Sequence, residues 1–475
     1  MRNFIIGFFI LCFFDISAKD SVCDGESVLR FVSSSVEENS ASYQHQVVEF
    51  NNVEKYQKFK NELIVLSRKY NTEKDCLGLL SLYLSFIKDS HQWISPTNSY
   101  YPFSTFEDSI SVKKFISENI ENYPLVNPEL LNSSIEGDWI TNSGSLKIQI
   151  QKTNTKGRKY VGLMRDKVNY YAKEGDVRID FYEIAGELKA VLWDYGLRPK
   201  VYSVELEKDI LQLGRDYTFV NNPDSVIEKT PFEVEKKTYF KNLNNETNYI
   251  RIHSFDYNNK KNIDSVLIQN HNVLTTTKNL IIDIRNNPGG SDLAYKNILK
   301  YIFDKTHYKS PLASSTWVSD SNLKTYRESV YFGAETKQDS LEFESEFQGL
   351  LKYKGHFEPL DFSTIEIDEI FPYPNKVFVI MNKKNASTAE GFVINASESE
   401  KVTTVGENTE GVMSYAEWRR VDVPNFPGWI SITRKKVQTK NNVVYEQKGL
   451  SPNINIEEIP QSDWINYVLE LIEKN

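Results

Sequence analysis

The sequence predicts a multidomain α+β protein built from three unlike parts in succession. Three observations carry this. An apolar run of helical length lies near residue 80, strictly alternating strands fill residues 145–206, and beyond residue 240 buried apolar strands are each followed by a turn and a helix. At 475 residues the chain is also longer than one ordinary core encloses.

The first residues, MRNFIIGFFILCFFDISAKD, set Arg2 before an apolar run from Phe4 to Phe14 that closes on the small residues Ser17 and Ala18. This is the pattern of a secretory signal peptide, residues 1–18, cut near Ala18. The run is short for a membrane span, and no later stretch of the mature chain is apolar enough to be an integral one. Neither Cys12 nor Cys23 follows the small residue of a lipoprotein site. The expected location is therefore secreted or periplasmic.

Residues 19–130 are expected to form a helical domain. Asn51 to Tyr70 is charged and amphipathic, whereas Cys76 to Ile87 (CLGLLSLYLSFI) is apolar enough to be buried. It stops at Lys88-Asp89-Ser90-His91, and Pro96 closes the segment. Cys23 and Cys76 are the two cysteines left after cleavage. In an exported chain they pair as a disulfide or stay as two buried thiols, and the sequence leaves both open.

Residues 131–230 read as a small antiparallel β domain, a sheet or barrel of about six strands. Ser145 to Lys152, Val177 to Ile184 and Val201 to Leu206 alternate strictly, with Gly, Asn and Asp at the turns. No Gly-rich carboxylate-binding loop accompanies them. Residues 231–475 read as α/β with an insertion at about 305–370. Its strands include Tyr249 to Phe255, Asn279 to Ile284, Val377 to Asn382, Val402 to Gly406 and Trp429 to Thr439. Its helices include Ile263 to Leu274, Asp292 to Phe303, Thr388 to Ser397 and Trp464 to Ile472. Repeated strand–turn–helix units imply a mainly parallel sheet.

Composition excludes some chemistries. A net charge of -9 without a basic cluster argues against a nucleic-acid partner. The six His and two mature Cys show no metal-ligand spacing, and no cofactor motif is present. Neither Cys lies in a context that would lower its pKa for nucleophilic work.

Two strand-to-helix turns can carry chemistry. Asp283-Ile284-Arg285-Asn286-Asn287-Pro288-Gly289-Gly290 ends a buried strand in a diglycine bend, whose N–H groups can stabilise an oxyanion; an ordinary tight turn has the same sequence features. In Asn385-Ala386-Ser387-Thr388-Ala389-Glu390, Ser387 stands at a helix N-terminus beside the Thr388 N–H. An N-cap serine looks alike.

Together the motifs resemble the tail-specific, C-terminal processing peptidase family (S41). DIRNNPGG, ASTAE, VGENTEG (Val405 to Gly411) and GLSPN (Gly449 to Asn453) follow in the family's order, with Asn453 where Asp is usual, and the resemblance spans about residues 240–458. It implies a crotonase/Clp-like αβ superhelix for the catalytic domain and a peptide or unfolded protein as substrate. The bacterial members use a lysine base at the position held here by Val412. The tricorn-core-like branch instead uses Ser, His, Ser and Glu. By that resemblance Ser387 is the nucleophile and His91 the general base, with Ser90 and Glu446 holding the imidazole in the right tautomer. The N–H groups of Thr388 and of Gly289 or Gly290 would form the oxyanion hole. His253, on the strand IRIHSF, is the second candidate base. The rival expectations are an inactive binding or transport protein on the same scaffold, and a lipid or sugar site in the β domain. A glycan on the sequon Asn385-Ala386-Ser387 would block the nucleophile, which favours a bacterial exported chain. Substrate preference and oligomeric state are not readable.

Overall fold

The structure, a computed structural model, describes residues 23–96, 114, 117–131, 133–165, 173–194, 196–221, 235–331 and 337–474. The signal-peptide segment, residues 1–18, lies outside them.

The N-terminal part is helical. Gly25–Asn39 begins at Asp24, whose carboxylate accepts the Ser27 N–H at 3.1 Å, and Glu73–Leu84 begins at Thr72, whose hydroxyl accepts the Asp75 N–H at 3.1 Å. Between them runs Val53–Ser67. Val28, Leu29, Val32 and Val36 recur at helical spacing and are buried against Leu77, Leu80 and Tyr83. Cys23 and Cys76 are joined in a disulfide. The same core takes Tyr182 and Trp193 from the β domain and Ile430 and Ile432 from the C-terminal part, so the helices wedge between the two. The chain leaves them through residues 85–93 into a short strand, β1 (Ile94–Pro96).

The β domain is a closed barrel of eight strands: β2 (Gly137–Thr141), β3 (Lys147–Lys152), β4 (Tyr160–Met164), β5 (Val177–Ile184), β6 (Glu187–Trp193), β7 (Pro199–Glu207), β8 (Ile210–Leu213) and β9 (Tyr217–Val220). The two strands beyond the expected six are β2 and β8. Neither GDWIT nor ILQL alternates in sequence, and β2 pairs with β9 to close the barrel. Its interior is packed by Ile148, Ile150, Ile179, Phe181, Leu211 and Phe219.

In the C-terminal part a six-stranded sheet runs β10 (Tyr239–Asn244), β11 (Thr247–Arg251), β12 (Asn279–Asp283), β16 (Lys376–Met381), β17 (Val402–Gly406) and β20 (Ile454–Asn455). All neighbours are parallel except β10 and β11. Because both faces are covered, β12 and β16 are continuously apolar. Ile282 and Val379 pack with Phe255 and Phe392 on one face, while Ile281 and Phe378 pack with Trp464 and Val468 of the final helix, Trp464–Lys474, on the other.

Two expectations are corrected here. Asp292 to Phe303 is not one helix but two 3-10 turns and a short α-helical turn, because Tyr295 is drawn into contact with Phe255, Phe392 and Asn395. Trp429 to Thr439 does not join the parallel sheet. It forms β19 (Gly428–Thr439) of a second, antiparallel sheet with β1, β14 (Leu312–Thr316) and β18 (Tyr415–Asp422). A short turn after β18 makes a hairpin, which can only be antiparallel. Residues 305–370 supply β14, a two-stranded ribbon of β13 (His307–Lys309) and β15 (Thr364–Glu366), and the helices Asp320–Tyr331 and Lys337–Leu351.

Candidate active site

β12 and β16 lie side by side and parallel, so their C-terminal ends deliver both motif turns to one place. The first turn is clamped from within. Asp283, fully buried, accepts the Arg285 main-chain N–H at 3.0 Å and its guanidinium at 2.6 Å, and these contacts hold the Asp283 carboxyl below its ordinary pKa although burial opposes them. Asn287 Oδ1 accepts the Phe255 and Gly289 N–H groups at 3.2 and 2.9 Å. Gly289 has φ +97°, and a Cβ there would lie 2.6 Å from Ala386 O and 2.9 Å from Thr388 N. Only glycine lets the two turns approach this closely.

In the second turn Ser387 has φ 55° and ψ -123°, a strained conformation between β16 and the helix Thr388–Ala396. It is held by Glu390, whose buried carboxylate accepts N–H groups from Ser387 (3.0 Å), Gly411 (2.8 Å) and Val412 (2.7 Å) and the Thr409 hydroxyl. Burial raises the Glu390 pKa, and these hydrogen bonds counter it. Glu390 thus ties the ASTAE turn to VGENTEG. The ASTAE motif by itself assigns Glu390 no role. Its place three residues after a helix-capping serine was the available signal.

His91 Nε2 lies 3.3 Å from Ser387 Oγ, across 296 positions of sequence. The contact is long, as is common before substrate tightens such a pair. Burial pulls the His91 pKa below 6.5, with the Glu446 carboxylate partly offsetting it, so the ring is neutral at neutral pH and able to accept a proton. The other candidate base, His253, bonds through Nδ1 to Thr238 Oγ1 at 3.1 Å. Lys383 and Lys384 are exposed, and Val412 is buried.

Ser90 and Glu446 meet, as expected of a relay, but among the described residues no hydrogen bond carries it on to His91 Nδ1. The Glu446 oxygens accept the main-chain N–H groups of Ser90 (2.9 Å) and Ser414 (3.0 Å), and the buried His91 Nδ1 has no hydrogen-bond partner among the described residues. Glu446 thus positions the Ser90–His91 turn through main chain, while its carboxylate also meets the Ser90 side chain and its charge acts on the His91 ring. Asp89, not foreseen as a site residue, does similar work. Its Oδ1 accepts the His91 N–H at 2.9 Å and its Oδ2 the Thr433 hydroxyl at 2.6 Å, while Ser431 Oγ donates to His91 O at 2.8 Å. Burial pushes the Asp89 carboxyl up to about 6. Burial and then Asp89 raise Glu446 as well.

Of the expected oxyanion donors, Gly289 N–H is committed to Asn287. The N–H groups of Gly290 and of Thr388, at the first position of its helix, have no acceptor among the described residues. The Thr388 hydroxyl donates to Gly290 O at 2.9 Å and joins the two turns directly. Asn453, in place of the usual Asp, uses only its carbonyl oxygen, accepting the Thr404 N–H and hydroxyl at 2.8 Å each, which an amide does as well as a carboxylate. Asn385 is fully buried, with Oδ1 accepting the Asn382 N–H at 2.7 Å and Nδ2 donating to the Ile284 and Asn287 carbonyls, so the folded chain has no room for a glycan there. Among the described residues no group of three or more His, Cys, Asp or Glu could hold a metal ion, and no helix is long and apolar enough to cross a membrane.

Residues 246–456 match the family model of peptidase family S41. The solved structure of mature CPAF is similar in fold, with a TM-score of 0.51 at 12% identity over 94% of this chain and 96% of that one. The photosystem II D1 C-terminal processing protease gives 0.40 at 12% identity over 93% and 94%. The tricorn protease gives 0.39 at 12% identity over 95% of this chain and 37% of that one. No curated protein matches the sequence.

Proposed function

From the premise that this chain, through residues 246–456, is a serine-type peptidase of family S41, we propose that it cleaves peptide bonds through an acyl-enzyme on Ser387. The observation that carries this reading is the 3.3 Å approach of His91 Nε2 to a strained Ser387. Ser387 Oγ attacks the scissile carbonyl carbon while Nε2 takes the hydroxyl proton. The carbonyl oxygen, now negative, is held by the N–H groups of Thr388 and Gly290. The tetrahedral intermediate collapses, the C–N bond breaks, and His91 returns the proton to the leaving amine. Water, deprotonated by the same ring, then releases the acid. Asp89, Ser90 and Glu446 position the turn that carries His91. The proposed substrates are peptides or unfolded chains, in keeping with the match to peptidase family S41. The N-terminal signal pattern and the Cys23–Cys76 disulfide support an exported enzyme working in an oxidising compartment.

A serine-directed phosphonate tests the reading. It should label wild-type protein at Ser387, and Ser387→Ala should lose both labelling and the cleavage of unfolded chains, on the order of 10⁴-fold or more, with an unchanged circular-dichroism spectrum. A protein that neither labels nor cleaves is a binder on this scaffold. Full activity in His91→Ala would remove the imidazole from the mechanism and leave the nucleophile standing.

A further inference from the structure

We propose that Trp93, Trp418 and Trp429 form a subsite for a bulky apolar or aromatic side chain of the peptide substrate, beside the His91–Ser387 pair. The proposal rests on the peptidase reading above.

The three indoles form one cluster. Trp93 and Trp418 meet edge to face at 5.1 Å between centroids, Trp93 and Trp429 at 6.1 Å, and Trp418 and Trp429 stack at 5.7 Å with planes 14° apart. Trp418 is 43% exposed and the other two are half-buried, so the cluster presents aromatic surface to solvent. The Arg420 guanidinium lies 5.3 Å from the Trp429 ring, giving the platform a cationic rim. Aromatic side chains gathered at one exposed place, rather than scattered, mark a binding surface.

The platform is built rather than incidental. In the β18–β19 pairing Ala416 faces Lys435 and Trp418 faces Thr433, so Glu417 stands level with Arg434 in unbroken register, yet it has φ 53°, the left-handed region that a residue inside a strand rarely adopts. Such a backbone kink interrupts the extended course of the strand immediately before Trp418. This one is held by Arg434, 3.0 Å from the Glu417 carboxylate, and Lys435, 2.7 Å from it.

Its occupant follows from its place. Trp93 is two residues from His91, a reach of at most about 7 Å between Cα atoms. One side chain ties the two together: Ser431 Oγ donates to His91 O at 2.8 Å and accepts the Trp93 N–H at 2.8 Å. A peptide with its scissile carbonyl at Ser387 would therefore set a nearby side chain over the indoles. Strand β18 pairs only with β19 among the described strands, so its outer edge offers main-chain hydrogen bonds to an extended chain. These two features favour a peptide over a sugar or a lipid.

The test uses two peptides that differ in one residue near the cleaved bond, Phe in one and Ala in the other. Trp418→Ala, a change at an exposed position, should lower kcat/KM for the Phe peptide by about tenfold and move that for the Ala peptide by less than about twofold. Tryptophan fluorescence of Ser387→Ala protein should shift on titration with the Phe peptide and not with the Ala peptide, and the shift should be lost in the double variant. An equal fall for both peptides, no fall for either, or a fluorescence response to oligosaccharide but not to peptide would overturn the subsite. If neither peptide is cleaved and Ser387 does not label, the peptidase reaction fails, and the titration alone decides the subsite.

Discussion

At the scale of single residues, the site stands or falls on the ionisation of a few buried groups. His91 works as a base only when neutral, and burial holds its pKa below 6.5. The value of kcat/KM should therefore rise with pH through a midpoint below 6.5 and stay level across neutrality; a pH–rate profile with its midpoint above 7 would contradict this. Asp89 behaves in the opposite sense to a salt-bridged carboxylate. Its folded pKa, about 6, exceeds the ordinary 3.8, so the native state binds this proton more tightly than the unfolded chain does. Its contribution to stability is full below 3.8, is lost as pH rises toward about 6, and is constant above that. At about 1.4 kcal/mol per unit, the loss amounts to about 3 kcal/mol. Asp89→Asn, which keeps an acceptor for the His91 N–H, should flatten this slope. Urea midpoints of the two proteins near pH 4 and pH 7 check it.

At the scale of elements, what matters is how closely two turns can be pressed together. Gly289 is the hinge of that contact, because any side chain there collides with Ala386 O and Thr388 N. Gly289→Ala should cost on the order of 3 kcal/mol in stability and remove most of the activity, by forcing apart the turns that hold nucleophile and oxyanion donors. Melting curves together with a peptide-cleavage assay read both effects, and an active, stable variant would rule out the close approach. Glu390 is the matching clamp. Glu390→Gln turns one acceptor into an NH₂ group facing main-chain donors, which should cost about 1–3 kcal/mol. Both elements were readable in part. DIRNNPGG and ASTAE stood out as strand–turn–helix junctions, but the helix expected after the first dissolves into short turns once Tyr295 packs inward.

At the scale of the whole molecule, three parts converge on one turn. The helical part brings residues 89–93, the antiparallel sheet holds them through Ser431 and Thr433, and the parallel sheet supplies Ser387. The barrel also touches this assembly: Arg215, between β8 and β9, donates to the main-chain carbonyls of Glu410 and Lys448, on the loops that flank Glu446. The Cys23–Cys76 disulfide closes a loop of sequence separation 53 inside the helical part. Loop-closure entropy puts its worth at roughly 4 kcal/mol. Replacing both cysteines by serine should lower the urea midpoint accordingly, and it should lower activity through the base, whose turn extends from the same helices, more than through phosphonate access to Ser387. Equal stability with and without the disulfide would argue against that anchoring role.

By itself, the sequence determined the fold class, the order of the parts and the four C-terminal motifs, because these depend on local periodicity and on turns whose chemistry is contiguous. The apolar helix before His91 and the buried strands before both turns are likewise local. Barrel closure depended on β2 and β8, whose few residues declare nothing until their partners are in place. The roles of Asp89 and Glu390, the loss of Gly289 as a free donor and the meeting of three tryptophans are tertiary facts. Each is made by hydrogen bonds or ring contacts between segments far apart in the chain, and no spacing along one strand of sequence encodes which distant group will occupy a given donor.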